Sequence, residues 1–142
     1  MADSKFFDIG SIGGDEYYTL PSVAKQIVDN MIHIPHLRVW CPFADNEHPA
    51  IRDALTNAGF EAICTDTDFF TTDPPNGCGV IVSNPPFSLK DKVLKRTKEL
   101  GMRFVYILPF IWLNDTIPME YGHQLMLFRH RMHFTQSGGG KK

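Results

Sequence analysis

An apolar run, Gly79 to Ser83, stops at two consecutive prolines, Pro85 and Pro86, and a helix-start signal follows at Ser88 and Asp91. A short run that stays apolar until its last residue reads as a strand buried on both faces. The prolines then force the chain out of the sheet, because each ring fixes φ and removes an amide donor. Strands covered on both faces belong to parallel sheets with helices packed above and below.

The same alternation recurs along the chain. Thr19 reads as a helix cap with Pro21 in the first turn, and Val23, Ala24, Ile27, Val28 and Met31 share one face until Pro35. Leu37 to Cys41 reads as a buried strand that Pro42 and Phe43 turn. Pro49 to Ala58 predicts a helix with Ile51, Ala54, Leu55 and Ala58 on one side and Gly59 past its end. Phe60 to Cys64 is the next strand, Asp66 to Asn76 an irregular stretch, and Phe104 to Leu108 a strand after a helix closed by Gly101. That helix carries Leu89, Val93, Thr97 and Leu100 on one face, with Ser88 and Asp91 as a capping box. Gln124 to Phe134 predicts a fifth strand. Interleaved strands and helices specify an α/β fold with a mainly parallel sheet, in which ligands bind beyond the carboxyl ends of the strands.

A chain of 142 residues, 43% hydrophobic, supplies one core and leaves no room for a separate recognition domain. Residues 1–16, with Gly10, Gly13 and Gly14, read as a flexible arm, and residues 137–142 as a flexible tail. Cys41, Cys64 and Cys78 are scattered, and neither they nor the six histidines show metal-ligand spacing. With no run approaching the ~18–20 apolar residues of a membrane helix and no signal-peptide core, a reduced, cytoplasmic protein is expected.

The chemistry lies in Asn84, Pro85, Pro86 and Phe87. Backbone carbonyls beside the prolines, together with the Asn84 amide oxygen, can accept hydrogen bonds from an amine while Phe87 stacks on its planar parent. Methyl transfer to an exocyclic amine needs such acceptors, because the nitrogen lone pair is delocalised into the ring until its N–H groups are engaged. A base within a duplex must also be flipped out, and an aromatic ring helps to hold it.

This tetrapeptide resembles the [Asn/Asp/Ser]-Pro-Pro-[Phe/Tyr/Trp] motif of S-adenosylmethionine-dependent amino-methyltransferases, and is most similar to the adenine-N6 DNA methyltransferases. The resemblance spans about residues 15 to 134 and implies a reduced, Rossmann-like class I fold over residues 17–136. It implies that Asn84, Pro85, Pro86 and Phe87 are catalytic. It also implies a cofactor site from Tyr18 and Thr19 ahead of the first helix, Cys41, Pro42, Phe43 and Asp45 after the first core strand, Asp66 for the ribose, and Asp68 with Phe69 beside the adenine. Lys90, Lys92, Lys95 and Arg96 would meet nucleic-acid phosphates, DNA before RNA. Pro109, Phe110 and Trp112 are candidates to wall the target pocket.

Departures from the family pattern are specific. Where it has Asp-Pro-Phe-x-Gly-x-Gly, this chain has Cys41-Pro42-Phe43-Ala44-Asp45-Asn46-Glu47, and both glycines are absent. The helix and strand that usually separate the second and fourth elements are missing after Asp68, and the chain ends soon after the fifth strand. A minimal form, as from a phage or mobile element, is one expectation, with specificity supplied by loops, a homodimer or a partner subunit. Two alternatives stand: a degenerate methyltransferase fold serving as a binding or inhibitor module, and a glutamine-amide protein methyltransferase, which uses a related Asn-Pro-Pro-Tyr motif.

The formal charge of −2 hides a division. Residues 1–83 hold 4 basic and 12 acidic side chains, net −8, and residues 84–142 hold 10 and 4, net +6. The boundary falls at the tetrapeptide, so the acidic half holds the expected cofactor site and the basic half begins where a target base would enter.

Overall fold

The computed structural model describes residues 17–31, 38–43, 49–108 and 134–136. In chain order the elements are β1 (Tyr17–Thr19), α1 (Pro21–Asp29), β2 (Arg38–Cys41), α2 (Ala50–Asn57), β3 (Glu61–Cys64), β4 (Cys78–Ser83), a 3-10 turn (Phe87–Leu89), α3 (Lys90–Leu100), β5 (Arg103–Tyr106) and β6 (Phe134–Gln136). Four strands form one sheet in the order β3-β2-β4-β5, and every neighbouring pair in it is parallel. Helices flank it on both faces, as the alternation predicts for an α/β chain.

Period-2 geometry sorts the side chains into two cores. Val39, Cys41, Val80 and Val82 meet Val23, Ile27 and Val28 of α1 and Leu55 of α2. Their in-between neighbours Trp40 and Ile81 point to the other face and meet Val93 of α3 and Phe69 from the loop after β3, with Phe104 and Tyr106 alongside. Within α3, buried Val93, Leu94 and Thr97 recur at helical spacing, and Gly101 closes the helix with φ 66°. Thr97 Oγ1 donates to the Val93 carbonyl at 2.7 Å and lies 2.6 Å from the Tyr106 hydroxyl, so α3 is tied to β5 by a polar contact inside the apolar layer. Burial pushes the Tyr106 phenol above its ordinary range.

At the amino ends of the strands, Arg38 bridges Glu61 at 3.1 and 3.2 Å and donates to the Asn76 carbonyl. Register shifts there: Arg38 faces Cys78, whereas Val39 faces Val80, which leaves Gly79 as the extra residue. This exposed clamp fixes register far from the carboxyl ends.

Two local expectations are corrected. Thr19 does not cap α1: Leu20 takes that position without a side-chain bond, and Thr19 ends β1, a strand that the sequence reading missed. β1 is too short to show periodicity and exists through antiparallel pairing with β6, Thr19 facing Phe134. Ser88 does not open α3 either; it lies in the 3-10 turn, and the helix starts at Lys90 behind Leu89. Of the expected strand Gln124 to Phe134, only Phe134 is described, and it opens β6. The arm, the tail and Pro109, Phe110 and Trp112 lie outside the described residues.

Candidate functional site at the carboxyl ends of β2 and β4

From β2 the chain runs through α2 to β3 on one side, then returns to place β4 on the other side of β2. The strand order reverses there, and the carboxyl ends of β2 and β4 border the crevice that such a reversal opens. No helix or strand intervenes between Cys64 and Cys78, so the shortened connection expected from the sequence is present.

Ser83 joins the two ends. Its side chain is 4% exposed, and its Oγ donates to the Pro42 carbonyl at 2.8 Å. The Ser83 carbonyl accepts from the Ile107 amide at 3.1 Å, and the Pro86 carbonyl from the Leu89 amide at 3.0 Å. The chain between those anchors is Asn84 and the buried Pro85. Asn84 Nδ2 donates to Thr19 Oγ1 at 3.3 Å, which brings the end of β1 to the tetrapeptide. Phe87 is half-buried at the start of the 3-10 turn.

The β2 side is aromatic. Trp40 is fully buried, and its Nε1 donates to Thr65 Oγ1 at 2.9 Å. The Thr65 amide donates to the Cys41 carbonyl at 3.2 Å, carrying the β2–β3 pairing one residue past β3. Phe69 is 1% exposed, with its ring 5.3 Å from both Trp40 and Phe43 and 5.6 Å from Phe70. Its ring therefore supports Phe43 and Trp40 from below, and the half-buried rings of Phe43 and Phe70 are the more accessible ones. Phe43 adopts φ 60°, a left-handed backbone in a residue with a bulky side chain.

Asp68 shapes its own loop: Oδ1 accepts from the Phe70 amide at 2.9 Å and the carbonyl from the Thr72 amide at 2.9 Å. This Asx-type turn drives Phe69 inward. Asp66 is exposed just beyond β3. Pro42 is buried, Thr19 half-buried, Tyr18 lies in β1, and Asp45 falls outside the described residues. Cys41, also buried, has its thiol pushed up by the neighbouring Cys64 and by burial.

The basic quartet divides. Lys92 and Lys95 are exposed on α3, whereas Lys90 and Arg96 are half-buried, and Arg96 Nη2 donates to the Thr72 carbonyl at 3.4 Å. Arg96 Nε is buried without a hydrogen-bond partner among the described residues. Arg96 thus faces the loop that carries Phe69, while the two lysines face solvent. No cluster of three His, Cys, Asp or Glu side chains able to hold a metal occurs among the described residues, and no helix among them is long and apolar enough to cross a membrane.

Sequence reasoning missed Ser83, Thr65 and Trp40 as parts of this site. Ser83 had a readable signal, a hydroxyl ending an otherwise apolar buried run. Trp40 and Thr65 had none, because their contact spans 25 positions. Compared with family models, curated proteins and solved structures, the chain matches none.

Proposed function

We propose that this chain is an S-adenosylmethionine-dependent methyltransferase of the Rossmann-like class, acting on an exocyclic amine, with adenine N6 of a nucleic acid as the acceptor. The observation that carries the reading is positional: Asn84-Pro85-Pro86-Phe87 leaves β4 at the strand-order reversal, with Ser83 hydrogen-bonded to the end of β2. A parallel sheet binds ligands at that crevice, and acceptor groups there are what amine methylation requires.

The residues at the end of β2 and β3 suit the cofactor in part. Exposed Asp66 suits the ribose hydroxyls, and the half-buried Phe43 and Phe70 rings suit a flat purine. When bound, S-adenosylmethionine supplies an electrophilic methyl group. The chain does the rest: the Asn84 amide oxygen and the Pro85 carbonyl accept the amine N–H groups, and Phe87 stacks on the base. Lys92 and Lys95, exposed on α3, attract the phosphates.

Transfer of labelled methyl groups to DNA, to RNA and to protein, followed by digestion and identification of the labelled product, tests the reading. Label in N6-methyladenine supports it, and label in glutamine moves the acceptor to protein. A second reading, a degenerate fold that binds without catalysing, is favoured by one observation. Phe43, not glycine, occupies the left-handed position at the β2 turn. Calorimetry separates the two, because no heat at high micromolar S-adenosylmethionine leaves only the binding module.

A further inference from the structure

Cys41 and Cys64 are register partners at the carboxyl ends of the parallel pair β2 and β3. Both side chains join the core on the α1/α2 face, Cys41 buried within it and Cys64 half-buried at its edge. Adjacent strands lie about 4.8 Å apart, inside the range of Cα separations that a disulfide spans. The two thiols are near enough for each to shift the other's ionisation. Cys78 lies at the opposite end of the sheet, where it is the register partner of Arg38.

We propose that Cys64 is a peroxide-reactive thiol and that Cys41 is its resolving partner. This site is independent of the methyltransferase reading. In the first step the Cys64 thiolate attacks one oxygen of hydrogen peroxide, the O–O bond breaks, and the products are a Cys64 sulfenic acid and hydroxide. In the second, Cys41 sulfur attacks the sulfenic sulfur, its proton leaves with the departing hydroxyl as water, and the S–S bond closes. Two thiols and one peroxide become one disulfide and two waters; the sulfurs are oxidised and the peroxide is reduced.

The surroundings divide the roles. Cys64 is the reachable sulfur, and the neighbouring Cys41 thiol together with the Arg52 guanidinium on α2 draws its thiol down to about 7, against burial and Asp53, which act upward. Cys41 is too buried to meet oxidant first but is the register partner of the residue that does. Neighbouring side chains on one sheet face run side by side, so the bridge forms with some tilt and is readily reduced again. Its place matters, since Cys41 immediately precedes Pro42, whose carbonyl holds Ser83.

The test treats the native full chain with hydrogen peroxide, blocks free thiols by alkylation and maps the peptides by mass spectrometry. Cleavage after Lys and Arg leaves Cys64 and Cys78 on one fragment, residues 53–90, so a second cut at Asp66, Asp68 or Asp73 is needed. The expected product links Cys41 to Cys64 with loss of two hydrogens, leaves Cys78 alkylated and reverts under a dithiol reductant. Cys41→Ser should halt at a sulfenic acid on Cys64, trapped by a cyclic diketone, and Cys64→Ser should give neither species. If Cys41→Ser fails to fold, the native time course decides: Cys64 sulfenic acid must precede the link. Before oxidation, Cys64 should alkylate about tenfold faster than Cys78 at pH 7, and urea should erase the difference. Cys64 left unreacted, or Cys78 oxidised as fast as Cys64, overturns the proposal.

Discussion

After β4 the chain leaves through Ser83, Asn84, Pro85 and Pro86 with no left-handed residue, and Pro86 sits at φ −55°. After β2 it leaves through Cys41, Pro42 and Phe43, and Phe43 sits at φ 60°. One exit is set by covalent geometry, since proline rings allow little else. The other is held by tertiary contact, a phenylalanine kept in a costly conformation by a ring packed at a tilt against Phe69, itself packed on Trp40. The first conformation survives changes in its surroundings; the second depends on them. The proposed function puts turnover at the β4 side and cofactor binding at the β2 side, and the contrast between the two exits offers ways to break that division.

The largest effect is expected at Asn84. Asn84→Ala should lower methyl transfer by about 10²–10³-fold, the scale of losing one preorganised hydrogen-bonding group at a reacting centre, with S-adenosylmethionine binding by calorimetry nearly unchanged. A variant that keeps its turnover, or one that loses cofactor binding instead, breaks the division of labour.

Next comes the aromatic support. Phe69→Ala removes a ring that is 1% exposed and packed among Trp40, Phe43 and Phe70. Denaturant unfolding should show a loss of about 3–5 kcal/mol. Phe87→Ala, on the half-buried ring of the β4 exit, should lose clearly less stability while reducing transfer. Equal losses would mean that both exits depend on packing alike.

Ser83→Ala follows. It leaves the buried Pro42 carbonyl without the donor it now has at 2.8 Å, so a loss of about 1–3 kcal/mol is expected in the same unfolding measurement. Ser83→Cys, which keeps a weak donor, should recover part of it. No loss in either variant would show that the strand ends are not joined through this bond.

What could be read from the sequence divides along the same line. The double proline, the apolar run before it and the Val93-Thr97 spacing are local signals, and β4 and the body of α3 stand close to where they were expected. The α2 helix, set by Ile51, Ala54 and Leu55 and ended before Gly59, was equally legible. Phe69 read as a residue facing the cofactor, but its inward position depends on Asp68 bonding the Phe70 amide and on Trp40 from a strand 29 positions earlier. β1 was invisible because its pairing partner lies at the far end of the chain. Distant partners account for the missed β1 and for the inward turn of Phe69, whereas the misplaced caps at Thr19 and Ser88 are local errors.

The smallest effect isolates the backbone cost at Phe43. Phe43→Ala and Phe43→Gly both lose the ring contact with Phe69, but only glycine tolerates φ 60° without a Cβ penalty. Both should therefore unfold more easily than the parent, with the glycine variant about 1 kcal/mol more stable than the alanine one. Gly101 supplies the converse at φ 66°, where an added Cβ meets nothing within 4 Å. Gly101→Ala should cost about 1 kcal/mol from conformation alone. Matching magnitudes at the two sites would show that the β2 exit stores the ordinary left-handed penalty and that the ring contact outweighs it. A glycine variant more stable than the parent would reverse that order, making Phe43 a net strain at the β2 exit, kept for a reason other than stability.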